Sequence, residues 1–179
     1  MLSQRVNELP AGLAAALREV HRRLDDAGLR WALTGSAGHR LQGVPVEVHD
    51  LDVQTDEPGA WAADRVLAEL AITRLAPRES ERMGSLFGVY QLGLARVELI
   101  GAVKHRRTPD DPWHQALDLT SHDVVRVRWE HLHVPVVCLR YEVAAYQRLG
   151  REDRAQLLAE HVAHPVSAEN AICGRSIGL

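Results

Sequence analysis

The chain has 179 residues, 46% of them hydrophobic and 25% charged, with a formal net charge of −3. That length and balance suit a folded domain with a sizeable core and exclude wholesale disorder. No apolar run approaches the ~18 residues of a membrane span, the N-terminus has no signal-like run, and the slight acidity argues against a protein devoted to coating nucleic acid.

Cys138 and Cys173 are the only cysteines, too few for a disulfide framework and suited to a reducing cytoplasm. Of 21 basic residues only Lys104 is lysine, a bias of GC-rich coding that also raises the background of the ten histidines.

In chain order, Leu13, Leu17, Val20, Leu24 and Ala27 recur at helical spacing after Pro10, and Gly28 closes that helix. A short strand over Arg30–Thr34 runs into Gly35, and 36–41 reads as one or two helical turns before Gly43 and Pro45. Val46–Thr55 reads as a strand with Val46, Val48, Asp50 and Asp52 on one side. A helix is predicted from Pro58, burying Trp61, Val66, Leu67 and Leu70, and Ala76–Gly84 is predicted as a charged loop.

Leu86–Leu92 and Ala95–Ile100 form a predicted hairpin around Gly93-Leu94, followed by a basic loop over Lys104–Pro112. Strands at Val124–Trp129 and Val134–Val137 precede two helices, Leu139–Leu149 and Glu152–Val162, parted by Gly150. The expected class is α+β, a mixed sheet with helices packed against it and C-terminal helices. Residues 1–137 form the main domain in this reading, 138–164 a helical extension on it, and 165–179 a tail. The last helices and the tail offer a surface for a homodimer or a protein partner.

The chemistry centres on His49-Asp50-Leu51-Asp52-Val53. Residues i and i+2 of a strand share a face, so two carboxylates stand close and repel unless a cation lies between them. A hard divalent ion, Mg²⁺ or Mn²⁺, answers that need, whereas an acidic, solvated strand end needs no ion. Glu98 is a third acid inside an apolar run, able to join the pair if its strand is a neighbour, or to pair outward with Arg96 or Arg74. Thr34-Gly35-Ser36-Ala37-Gly38 joins strand to helix, where a close backbone, free amides and the Ser36 hydroxyl suit phosphate oxygens. It is neither a P-loop nor a nucleophile elbow.

Gly35-Ser36, a spacer of thirteen residues, Asp50-Leu51-Asp52-Val53 and then Val97-Glu98-Leu99 resemble the signature of the nucleotidyltransferase superfamily related to DNA polymerase β. The surrounding residues are similar to its small bacterial branch, the minimal nucleotidyltransferases and antibiotic adenylyltransferases. The resemblance covers residues 29 to 101 and implies transfer of a nucleoside monophosphate from an NTP to a hydroxyl acceptor. It further implies that Asp50 and Asp52 hold two Mg²⁺ ions, that Glu98 completes the acceptor-side metal and helps remove the hydroxyl proton, and that Gly35 and Ser36 hold the β- and γ-phosphates.

Arg40, one turn after Ser36, and Lys104, shortly after Glu98, are further candidates for phosphate contact, each equally able to form an ordinary ion pair or face solvent. Tyr141 and Tyr146 are core or base-stacking candidates on the late helix. His131, His133 and Cys138 have a loosely zinc-like spacing, and Ser121-His122-Asp123 reads as a turn. The alternative from another class is a non-catalytic nucleotide- or partner-binding module of toxin–antitoxin type on the same fold. No feature names the acceptor or the preferred base.

Overall fold

The computed structural model describes residues 7–114, 117, 119 and 123–163. The proposed tail 165–179, Cys173, Ser121 and His122 lie outside the described residues.

Helix α1 (Ala11–Asp26) buries Leu13, Leu17, Val20 and Leu24 as its spacing predicts, whereas Ala27, the fifth position, follows the last turn as its cap and is exposed. After Gly28 come β1 (Ala32–Thr34), α2 (Gly35–Leu41) and β2 (Leu51–Thr55). The predicted strand 46–55 is therefore shortened, and Asp50 stands one residue before it. The reason lies in the partners: Thr34 pairs with Asp52 as the last residue of β1, and pairing with the strand beyond begins at Leu51. Residues 46–50 have no ladder to join, and Pro45 precedes them.

Helix α3 (Glu57–Val66) starts at Asp56, whose side chain accepts the Gly59 N–H at 2.7 Å. Its buried face is Ala60, Ala63 and Asp64, with Leu67 following; Trp61, expected inside, is 38% exposed. A 3-10 turn (Ala68–Leu70) leads to β3 (Ala71–Glu79), β4 (Met83–Leu92) and β5 (Ala95–His105). The loop predicted over 76–84 is thus mostly strand, with a turn at 80–82. An edge strand open to solvent loses the apolar alternation, and β3 carries Arg74, Pro77, Arg78 and Glu79 in its place.

The 93–94 turn joins β4 and β5 as expected, but β5 runs on to His105, past the predicted start of the basic loop. Strands β6 (Val124–Trp129) and β7 (Leu132–Val137) precede α4 (Leu139–Arg148) and α5 (Glu152–Ala163).

The seven strands of the described residues form one mixed sheet in the order β3-β4-β5-β2-β1-β7-β6, with β2 parallel to β5 and β1 parallel to β7. Leu17 and Val20 of α1 and Ala60 and Ala63 of α3 share one buried cluster with Leu51, Val53, Val97 and Leu99. Two-residue alternation turns Asp52, Gln54, Glu98 and Ile100 to the opposite face. There Val44, Leu139, Tyr146, Ala155 and Leu158 form a second cluster that joins α4 to α5.

A bulge in β5 breaks the alternation. Leu86 pairs with Gly101 and Gly84 with Lys104, so β5 spends one extra residue, and Ala102 takes φ 48°. Beyond it the faces exchange, which brings Val103 and His105 to the side of Glu98 and turns Lys104 away.

Candidate active site

On the α4 side of the sheet lies a cavity of about 630 Å³. Its floor is the exposed face of β2, β5 and β4, with Asp52, Gln54, Glu98, Ile100 and Phe87, and α4 contributes Tyr141, Glu142, Ala145 and Tyr146.

Asp50, Asp52 and Glu98 each offer a carboxylate oxygen within 4.8 Å of the others, the one cluster of metal-ligating type among the described residues. Asp52 stands directly across from Glu98 in the β2–β5 register. Burial, then the charges of Asp50, Glu98 and Glu142, push the Asp52 carboxyl up to about 8. An all-oxygen donor set that disfavours its own ionisation suits a hard divalent cation, which would remove the repulsion. Glu98 also accepts Arg96 Nε at 2.8 Å on Oε1, so the outward pairing and the cluster coexist.

Gly35 lines the cavity beside these acids. It has φ +61°, and a Cβ there would overlap Asp52 Oδ2 and lie 3.0 Å from Asp52 Cγ. Only glycine fits both the left-handed backbone and the approach. Its N–H is already engaged, donating to Glu142 Oε1 at 3.2 Å. The same oxygen accepts the Thr34 hydroxyl, and His39 Nε2 stands 3.5 Å away. Burial pushes the Glu142 carboxyl up, but His39, Thr34 and the Gly35 amide prevail and hold it below the usual range.

Glu142 is 7% exposed and ties α4 to the β1–α2 turn. Sequence reading did not find it: nothing in Tyr141-Glu142-Val143 marks a site, and only a carboxylate on the otherwise apolar face of the late helix hinted at one.

Ser36, Arg40 and Lys104 are not among the residues that line the cavity. Ser36 sits half-exposed in the first turn of α2. Arg40 Nη1 donates to the Val46 carbonyl at 3.1 Å. Lys104 pairs with Glu79 at 3.2 Å and lies 4.6 Å from the Trp113 ring centre, on the far face that the bulge assigns it. Tyr141 and Tyr146 both reach the cavity. His131, His133 and Cys138 form no ligand cluster among the described residues.

The family model for aminoglycoside-2″-adenylyltransferase matches residues 16–162. A crystal structure of a candidate nucleotidyltransferase from Thermotoga maritima superposes with a TM-score of 0.70 at 34% identity, covering 84% of this chain and 92% of that one. A structure of ANT(2″)-Ia in complex with adenylyl-2″-tobramycin aligns at 13% identity with a TM-score of 0.46, covering 83% and 96%. None of the curated proteins compared matches the chain.

Proposed function

We propose that this chain, which belongs to the aminoglycoside-2″-adenylyltransferase family and so to the nucleotidyltransferases, transfers a nucleoside monophosphate from an NTP to the hydroxyl of an acceptor. The observation that carries the reading is the convergence of Asp50, Asp52 and Glu98 within 4.8 Å on one wall of a cavity that Gly35 also lines.

Asp50, Asp52 and Glu98 would hold Mg²⁺ or Mn²⁺, which when bound offsets the triphosphate charge and sharpens the acceptor hydroxyl as a nucleophile. Glu98 receives the hydroxyl proton on Oε2, the oxygen that Arg96 does not hold. The acceptor oxygen bonds to the α-phosphorus as the bond to the leaving pyrophosphate breaks. Gly35 lets the Asp52 carboxylate stand against the turn, and Glu142 fixes that turn from α4. With the Gly35 amide engaged by Glu142, the Ser36 hydroxyl, one residue beyond the cavity lining, is the donor left of that pair for the β- and γ-phosphates. Tyr141 offers an aromatic face to the nucleobase.

Residues 1–137 carry the metal-ligating acids in this reading, and α4 of the helical extension closes the cavity over them. Consumption of an NTP suits the cytoplasm. No helix among the described residues is long and apolar enough to cross a membrane.

The test is transfer of label from each α-³²P-NTP to components of a small-molecule extract with Mg²⁺ present. A labelled product from wild type, absent with Asp50→Asn and Glu98→Gln, is the expected result. Binding of an NTP with no transfer and no pyrophosphate would favour the non-catalytic module.

A further inference from the structure

Charge divides the cavity into two ends. Asp50, Asp52 and Glu98 occupy one, and Arg78, Arg82 and Arg151 line the other. The three arginines come from separate segments: β3, the β3–β4 turn and the α4–α5 junction. Among the described residues none of them has a carboxylate at ion-pair distance, although Arg18, Arg22, Arg23, Arg74 and Arg96 all do. Neutral groups hold the three instead. Arg78 lies 4.8 Å from the Phe87 ring centre, Arg82 Nη1 donates to the Leu149 carbonyl at 3.2 Å, and Arg151 lies 5.9 Å from the Tyr146 ring centre. Guanidinium groups that line a cavity without a carboxylate partner suit phosphate or carboxylate oxygens.

The arginines stand away from the acids. In the sheet register Val89 lies beside Glu98 and Ser85 beside Arg78, and those two β4 positions are four residues, about 13 Å, apart. The remaining carboxylate on the wall, Glu142, is engaged by Thr34 and Gly35. Among the described residues that line this end, a polycation would meet three guanidinium groups and no carboxylate to receive its ammonium groups.

We infer that the arginine-lined end receives the acceptor, and that the acceptor is a small anionic alcohol, a hydroxyl compound bearing a phosphate or carboxylate, rather than a polycationic aminoglycoside. This rests on the nucleotidyltransferase reading above and names the substrate class for it.

The test is calorimetric titration of the full chain loaded with Mn²⁺ and α,β-methylene-ATP, using inorganic phosphate and tobramycin as probes. The variant is Arg82→Ala combined with Arg151→Ala, both exposed side chains. Phosphate is expected to bind the loaded wild type and to bind the variant at least tenfold more weakly, while the variant holds the nucleotide analogue as wild type does and tobramycin gives no heat. The inference is overturned if phosphate fails to bind, if the variant binds it equally well, if tobramycin binds, or if the variant loses the analogue, which would assign the arginines to the nucleotide. Failure of wild type to bind the analogue would count against the nucleotidyltransferase reading alone, and phosphate titration of the nucleotide-free protein would still decide whether the arginine end takes an anion.

Discussion

Gly35 and Asp52 meet so closely that a methyl group on the first would overlap Oδ2 of the second. The turn that opens α2 and the acid at the centre of the carboxylate cluster are therefore one steric unit. Gly35→Ala must move the Asp52 carboxylate or the turn, and it strains a backbone at φ +61° by about 1–2 kcal/mol. Displacement of a metal-holding group by about 1 Å costs on the order of 100-fold in rate. Pyrophosphate release is expected to fall at least that far while the protein stays folded.

Glu142 is the second support of that turn. Glu142→Ala leaves the Thr34 hydroxyl and the Gly35 amide without an acceptor and is expected to lower stability by about 3 kcal/mol. Glu142→Gln keeps an acceptor oxygen and should lose less. Urea unfolding of both variants measures the difference, and equal losses would show that the charge itself holds the turn.

His105 predicts a pH dependence. Burial, then the charge of Arg148, depresses its folded pKa to about 4 from an ordinary 6.5. The unfolded chain therefore binds a proton first as pH falls. The contribution is full above pH 6.5 and is lost as pH drops toward 4, amounting to about 3 kcal/mol. Substitution by Asn is expected to flatten the stability curve between pH 6.5 and 4, measured by urea midpoints at each pH.

The bulge at Ala102 is testable by two substitutions. At φ 48° glycine relieves strain and a β-branched residue adds to it. Ala102→Gly is expected to leave stability unchanged or raise it by up to about 1 kcal/mol, and Ala102→Val to lower it by more than that, both read from the thermal midpoint. The opposite order would contradict a left-handed Ala102.

The acids were legible in the sequence because a carboxylate inside an apolar strand is out of place wherever that strand lies. Their proximity was not, since it depends on β2 lying parallel beside β5, a pairing between segments some forty residues apart. Arg78 and Arg82 were hidden because an edge strand without alternation reads as loop. Lys104 followed Glu98 closely enough to suggest a shared site, but the extra residue of the bulge sends it to the other face. Glu142 gained its meaning only when α4 docked against the β1–α2 turn.

Asp50, Asp52 and Glu98 are proposed to form a working metal–nucleotide site. Its most direct test is thermal unfolding with each of the four NTPs, with and without Mg²⁺, for wild type and Asp52→Asn. A ligand at ~100 times its dissociation constant adds about 2.7 kcal/mol, roughly 5–10 °C at this size. A shift of that order is expected in wild type with at least one NTP, dependent on Mg²⁺ and lost in Asp52→Asn. No shift with any NTP, or an equal shift in the variant, would contradict it.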